Sequence, residues 1–278
     1  MKYLDKKKNI LLFFSKHADE SFWNLQWVEK WNKKKNILYS TGPKSLTSKI
    51  TPRFLNPEDG PILEGGCGLG NNVFYLNAMN YDIIGIDYAE IIIKKINKEF
   101  PQLKIQHGDV RQIPYSDNYF AGYWSIGVIE HYLRGYSDII KEMKRVIKPK
   151  GYLFITFPYM SPFRLFKSKI HLYKTITRDY EKGIELSKKF YQFALNKDNV
   201  IKDLEELGFK LKYMQPYSGI KGFKDEIFIF KFFLKRFFQL LYDCERPKFL
   251  LYLKGFLNKL LAKKSGHDIL LVFQKINN

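Results

Sequence analysis

An acid, a run of glycines and a second acid are the residues whose types and spacing could do chemistry: Glu64, Gly65, Gly66, Gly68 and Gly70, then Asp87. Pro61-Ile-Leu-Glu-Gly-Gly-Cys-Gly-Leu-Gly70 has the pattern of a buried strand entering a tight turn. Ile83-Ile-Gly-Ile-Asp87 has the pattern of a second buried strand that ends in an acid. Glycine lets a backbone approach a ligand closely, and the helix start that follows offers N–H groups without intrahelical partners. An acid about twenty residues on, at the end of the next strand, is placed to hold the hydroxyls of a ribose. Together these predict a site for a nucleoside cofactor.

The glycine spacing narrows the cofactor. A dinucleotide turn needs G-x-G-x-x-G, its third glycine permitting close helix packing. Counted from Gly66, that third position holds Asn71, and the run is G-x-G-x-G preceded by Glu64. This resembles the first motif, acid-x-G-x-G-x-G, of class I S-adenosylmethionine-dependent methyltransferases. The resemblance implies that Glu64 to Gly70 (Glu64, Gly65, Gly66, Gly68, Gly70) cradle the methionine part of S-adenosyl-L-methionine, with Glu64 near its methionine end. It implies Asp87, with Tyr88 beside it, for the ribose, Asp109 and Val110 for the adenine, and Ser125 and Ile126 on the reaction side. A dehydrogenase is the alternative that the missing glycine argues against.

The elements that must position these residues follow in order. A helical pattern runs through Ile91, Ile92, Lys95, Ile96 and Phe100, then Leu103–His107 reads as a strand leading into Gly108-Asp109-Val110. Tyr119–Val128 reads as a fourth strand and its exit, Ile139–Ile147 as an amphipathic helix stopped at Lys148-Pro-Lys-Gly151, and Tyr152–Phe157 as a fifth strand. This order is similar to the small-molecule, type 11 branch of the family, closely over residues 61–158 and weakly again near the C-terminus. The expected fold is α/β: a Rossmann-like, seven-stranded, mostly parallel sheet with helices on both faces. To it are added an N-terminal helical cap (1–50), and, within 159–278, a substrate-side lid, the last strands and a helical insertion at 220–265. Residues 51–158 form the cofactor-binding core, and the whole is one structural domain.

Charge separates the core from its additions. Of a net +19, residues 50–158 contribute nothing, with twelve Lys/Arg against twelve Asp/Glu, so the surplus lies entirely outside the core. A basic surface of this kind faces an anionic partner. Two cysteines, Cys67 and Cys244, make no disulfide framework and suit a reducing cytoplasm. The apolar run Ile10–Phe14 is too short for a leader or a membrane span.

The additions suggest the anion. Asp198–Gly208 reads as a helix with an aspartate cap, and Phe209–Gln215 and His267–Phe273 as the last strands. Between those strands, Ile227–Tyr242 and Phe249–Leu261 are rich in aromatic, aliphatic and lysine residues. In the first, Lys231, Lys235 and Gln239 share a stripe. The second, starting at Pro247, places Leu250, Leu253, Leu257, Leu260 and Leu261 on one face and Lys254, Asn258 and Lys259 near the other. Basic helices with wide apolar faces suit a membrane interface, so 221–264 is expected either to meet an anionic membrane surface or to pack as a hairpin or dimer interface. Phe22, Trp23, Trp27 and Trp31 share a helix face that could close over the site or simply pack.

For chemistry, a methyl transfer needs alignment, exclusion of water and, for a hydroxyl acceptor, a base. His131 is the candidate base and Glu130 orients local structure; the other histidines, His17, His107, His171 and His267, have no spacing that suggests a metal site. The fourth strand ends in Trp124-Ser125-Ile126-Gly127, not the Asn/Asp-Pro-Pro-aromatic motif of methyltransferases that modify planar amino groups. The expected acceptor is therefore a small or lipid-linked molecule, methylated on oxygen, carbon or a simple nitrogen at the inner membrane face. The alternatives are an RNA methyltransferase, which lacks a recognisable RNA-binding module here, and a cofactor-binding interaction protein without catalysis.

Overall fold

The computed structural model describes residues 1–15, 17–40, 45–176, 188–226 and 248–276. The chain begins with a hairpin of β1 (Lys2–Asp5) and β2 (Ile10–Phe14), followed by α1 (Glu20–Ser40) and the short α2 (Leu46–Ile50). The alternating core then runs β3 (Ile62–Gly65), α3 (Asn71–Asn77), β4 (Ile83–Asp87), α4 (Glu90–Glu99), β5 (Lys104–His107), β6 (Phe120–Ile126), α5 (Ser137–Val146) and β7 (Ile147–Pro158). After it come α6 (Pro162–Lys169), β8 (Lys174–Thr175), β9 (Phe190–Ala194), α7 (Lys197–Glu206), β10 (Phe209–Tyr217), α8 (Gly219–Glu226), α9 (Lys248–Ser265) and β11 (Asp268–Lys275).

The main sheet has seven strands in the order β10-β11-β7-β6-β3-β4-β5, with β11 antiparallel to both neighbours and the remainder parallel. This is the expected sheet. Every residue of β3 and β4 is buried, as helices on both faces of a parallel sheet require. The apolar stripe of α5, Ile139, Ile140, Met143 and Val146, faces that core.

A second sheet, β8-β1-β2-β9, lies outside the expectation. Ile10, Leu12 and Phe14 of β2 join the same core as Leu63, Phe120 and Leu153. A bridge between Tyr159 and Leu195 links the end of β7 to the segment after β9. The expected N-terminal helical cap is α1; the hairpin precedes it. Its strands are four and five residues long and pair with partners nearly 180 residues away, so no local period announces them.

The C-terminal additions settle on the domain. Asn196, not Asp198, caps α7: its side chain accepts the Asp198 N–H, which places Asp198 inside the first turn. Residues 227–247 of the insertion, including Lys231, Lys235, Gln239 and Pro247, lie outside the described residues. The second half is helix α9, and α8 crosses it at backbone contact distance. A Cβ on Gly219 would lie 2.3 Å from the Ala262 nitrogen, and one on Gly222 only 1.7 Å from the Ser265 oxygen. Asn258, expected on the polar side, turns inward instead and accepts the Ile220 N–H. Leu260, expected to share a face with Leu253, Leu257 and Leu261, is exposed where those three are half-buried. Among the described residues no helix is long and apolar enough to cross a membrane.

Candidate active site

The loop after β3 is built by three glycines with left-handed backbone: Gly66, Gly68 and Gly70 at φ 76°, 51° and 68°. The Gly66 and Cys67 N–H groups donate to the Ile86 carbonyl, fastening the loop to β4. The Gly68 N–H donates to Asp87 Oδ2 at 2.7 Å, and Asp87 Oδ1 accepts the Ala89 N–H at 2.9 Å. Asp87 is therefore fixed at the end of β4 while keeping lone pairs on both oxygens. Burial raises its pKa, and the N–H bonds hold it back.

Glu64 is the other buried acid on the wall. Its Oε1 accepts from the Asn72 side chain at 2.7 Å, whereas its Oε2 has no hydrogen-bond partner among the described residues. Burial, with the charge of Asp87 adding to it, pushes its pKa up to about 8. A cationic group beside Oε2 would restore the carboxylate and satisfy the orphaned oxygen.

These residues open onto a cavity of about 1440 Å³. It is larger than the roughly 300–1,000 Å³ of a single small-ligand site. Glu64, Gly66, Gly68, Asp87, Tyr88, Asp109, Val110 and Ile126 all lie on its wall, as does His131. Gly65, Gly70 and Ser125 stand behind it. A Cβ at Gly65 would meet the Tyr123 hydroxyl at 2.0 Å, and one at Gly70 would meet Ile105 Cδ1 at 2.3 Å. Both glycines thus answer to the packing of the sheet. Ser125 is wholly buried, its hydroxyl without a partner among the described residues.

Asp109 does not stand alone. Arg111 grips it with Nε and Nη2, the latter at 2.6 Å, and lies 5.5 Å from the centre of the Tyr132 ring. Burial raises the Asp109 pKa, but the Arg111 bonds outweigh it and leave the carboxyl below its usual range. Helix α1 roofs the cavity. The Trp27 indole lies on Gly68, where a Cβ would come within 2.7 Å of it, and Trp23 stacks on Trp27 at 5.5 Å. Asn24 accepts the Ile91 N–H at the start of α4, and Tyr88 donates to the Ala18 carbonyl, so the roof is tied at two points.

His131 sits where that roof meets the second sheet, at the end of the short 3₁₀ turn Ile129–His131. Its Nδ1 donates to the Tyr191 carbonyl of β9 at 2.7 Å, which assigns the remaining lone pair to Nε2. Trp23 and Tyr191 meet the imidazole edge-on at 4.9 and 5.2 Å. Burial lowers its pKa to about 4, against the raising effect of the Tyr191 bond. Glu130 Oε1 is 3.9 Å from Nε2, beyond hydrogen-bond reach, and burial pushes that carboxyl up to about 8.

Comparison with known proteins meets this geometry at its centre. A model of the type 11 family, a methyltransferase domain, matches residues 63–155. Residues 63–155 are a class I methyltransferase domain of type 11. The domain is similar to a probable S-adenosylmethionine-dependent methyltransferase of Mycolicibacterium smegmatis, 29% identical over 97 residues, 35% of this chain. The chain spans only 37% of that relative's length. A demethylmenaquinone methyltransferase of Staphylococcus saprophyticus is 24% identical over 202 residues, 70% of this chain and 84% of the relative. A solved S-adenosylmethionine-dependent methyltransferase of Archaeoglobus fulgidus has the same fold, with a TM-score of 0.52, 15% identity and coverage of 90% of this chain and 99% of that one.

The cofactor of this family is S-adenosyl-L-methionine, and the methyltransferase domain fits it. The left-handed Gly66 and Gly68 put no side chain of their own on the cavity wall, Asp87 keeps acceptor capacity there, and the orphaned Glu64 Oε2 suits a cation. Among the described residues no cluster of His, Cys, Asp or Glu could hold a metal. Sequence reasoning missed Asn72, Arg111, Tyr132 and Tyr191. For Asn72 the signal was present, in the first turn of the helix that follows the glycines.

Proposed function

We propose that the protein transfers a methyl group from S-adenosyl-L-methionine to a small or lipid-linked acceptor that reacts through oxygen, carbon or a simple nitrogen. The observation that carries this is the shared cavity. The glycine loop, Glu64 and Asp87 line one part of it, and an unprotonated His131 Nε2 among aromatic rings lines another. Glu64 and the loop would hold the methionine part, Asp87 and Tyr88 the ribose, and Asp109 and Val110 the adenine. When bound there, the cofactor supplies an electrophilic methyl group.

His131 acts on the acceptor. A base of pKa about 4 cannot hold a proton taken from a free phenol. The gap of about 6 units corresponds to roughly 8 kcal/mol. Once the oxygen is methylated, however, its proton is strongly acidic, and Nε2 takes it readily. His131 thus first orients the acceptor hydroxyl as a hydrogen-bond acceptor and receives the proton late. Trp23 and Tyr191 exclude water and favour a planar, apolar acceptor, in keeping with the demethylmenaquinone relative. The same reading puts the reaction in a reducing cytoplasm, in keeping with a Cys67 that is buried and free among the described residues, with an acceptor drawn from a membrane.

Calorimetric titration tests the proposal. S-adenosylmethionine and S-adenosylhomocysteine should bind with micromolar Kd to the wild-type chain and not to Asp87→Ala, and NADH should bind to neither. Binding of NADH alone would overturn it.

A further inference from the structure

Large apolar side chains are exposed together on α6 and α9, which pack against each other. On α9, Tyr252, Phe256 and Leu260 follow at steps of four and are 80%, 59% and 60% exposed. Lys259 and Lys263 fall on the same outward face at helical spacing, and both are exposed. On α6 and the turn after it, Phe166, Ile170 and Leu172 are 53%, 48% and 61% exposed, with Lys169 and Lys174 exposed among them. The opposite face of α9 is committed to the fold through the Gly219 and Gly222 crossing and the Asn258 bond. The outward face is therefore not the remainder of an unpacked helix. It is the half that packing leaves over, and it is aromatic and cationic.

Charge decides what fits it. Neither 162–175 nor 248–265 contains a single acid. Arg164 and Lys167 are spent on Glu226, but Lys169, Lys174, Lys259, Lys263 and Lys264 are exposed. Aromatics flanked by lysines, on helices lying along the surface, match a bilayer interface where rings sink below anionic headgroups. The position is also apt. Helix α6 leaves the end of β7, and α9 leads into β11, whose Asp268 pairs with Pro158 at that same end. The parallel strands β3, β4 and β6 terminate at this end and carry the cavity there.

We infer that the α6–α9 face is a docking surface for an anionic phospholipid membrane. It rests on the proposed function only for the nature of the acceptor, since docking can be measured without catalysis.

The test is flotation of the full chain with phosphatidylcholine vesicles, with and without phosphatidylglycerol. Wild type should float with the anionic vesicles and stay behind with neutral ones. Each lysine near an anionic surface contributes roughly a factor of five in partitioning. Lys259→Glu/Lys263→Glu should therefore lose at least about tenfold, while Lys6→Glu/Lys7→Glu on the β1–β2 turn, with the same change in net charge, keeps wild-type binding. Tyr252→Ser/Phe256→Ser should lose binding too. Absence of wild-type flotation, or equal loss in the Lys6/Lys7 control, overturns the inference. So does a wild-type dimer in sedimentation that Tyr252→Ser/Phe256→Ser converts to monomer, because a second copy would then cover the face. Titration of each variant with S-adenosylhomocysteine reports separately on its fold and on the cofactor proposal.

Discussion

An imidazole held neutral by burial has a measurable signature in its pH dependence. His131 has its pKa lowered to about 4, so it is unprotonated throughout the neutral range and loses its Nε2 lone pair only as pH falls through about 4. The acid limb of kcat/KM for the acceptor, at saturating S-adenosylmethionine, is accordingly expected near pH 4, well below the 6.5 of an exposed histidine, with far-ultraviolet dichroism confirming that the fold persists there. A limb near 6.5 would mean that a solvated group governs the rate. His131→Ala should cost about 10²–10⁴ in kcat while leaving the S-adenosylhomocysteine Kd unchanged. The site residues legible in the sequence are those whose side-chain type carries the role at short range, Glu64, the glycines and Asp87. Tyr191 was not legible because it contributes a backbone carbonyl, which any residue could supply. Arg111 was not because its grip on Asp109 is an ordinary neighbouring charge pair until the cavity wall gives it a place.

Between elements, the glycines of the loop show how one residue type serves two demands. Gly66 and Gly68 face the cavity, whereas Gly65 is required by β6, whose Tyr123 hydroxyl would stand 2.0 Å from a Cβ. Gly65→Ala should therefore destabilise the domain by about 1–3 kcal/mol in urea unfolding, as overpacking does. Adding Tyr123→Phe, which removes the oxygen but leaves the ring carbon Cζ 2.7 Å from that Cβ, should recover only part of the loss; no recovery would show that the ring, not the hydroxyl, sets the limit. Helix α1 was legible as an aromatic stripe, and its seating on Gly68 predicts a kinetic effect. Trp27→Ala should speed dissociation of S-adenosylhomocysteine in stopped flow more than it slows association, because the indole roofs the loop. The parallel core was legible because each buried strand and amphipathic helix has its own period. The β1–β2 hairpin was not, since its evidence is a pairing with β9 that only tertiary structure brings about.

Across the whole molecule, the basic surplus outside the core is partly internal. Glu226 of α8 is buried and accepts from Lys2 of the hairpin, Arg164 and Lys167 of α6, and the Tyr173 hydroxyl. One carboxylate thus joins the second sheet, α6 and α8, a convergence that the charge count conceals. Burial would raise its pKa, but Arg164 and Lys2 outweigh this and hold it at about 2, from an ordinary 4.5. Because the folded value is the lower one, the stabilisation is complete above about pH 4.5 and disappears as pH falls through about 2. Holding the carboxyl down from 4.5 to about 2 corresponds to about 3 kcal/mol. Glu226→Gln, which leaves the buried Arg164 and the half-buried Lys2 and Lys167 short of their counter-charge, should cost about 3–5 kcal/mol at pH 7. In urea titrations at successive pH values, the gap between wild type and variant should hold to about pH 4.5, then narrow and close towards pH 2. A gap that closed above pH 4.5 would show that the cations do not depress Glu226. One that persisted below pH 2 would show that the carboxyl stabilises by packing and hydrogen bonds alone. The midpoint of closure therefore separates charge from shape in the contact that joins the hairpin, α6 and α8 to one another.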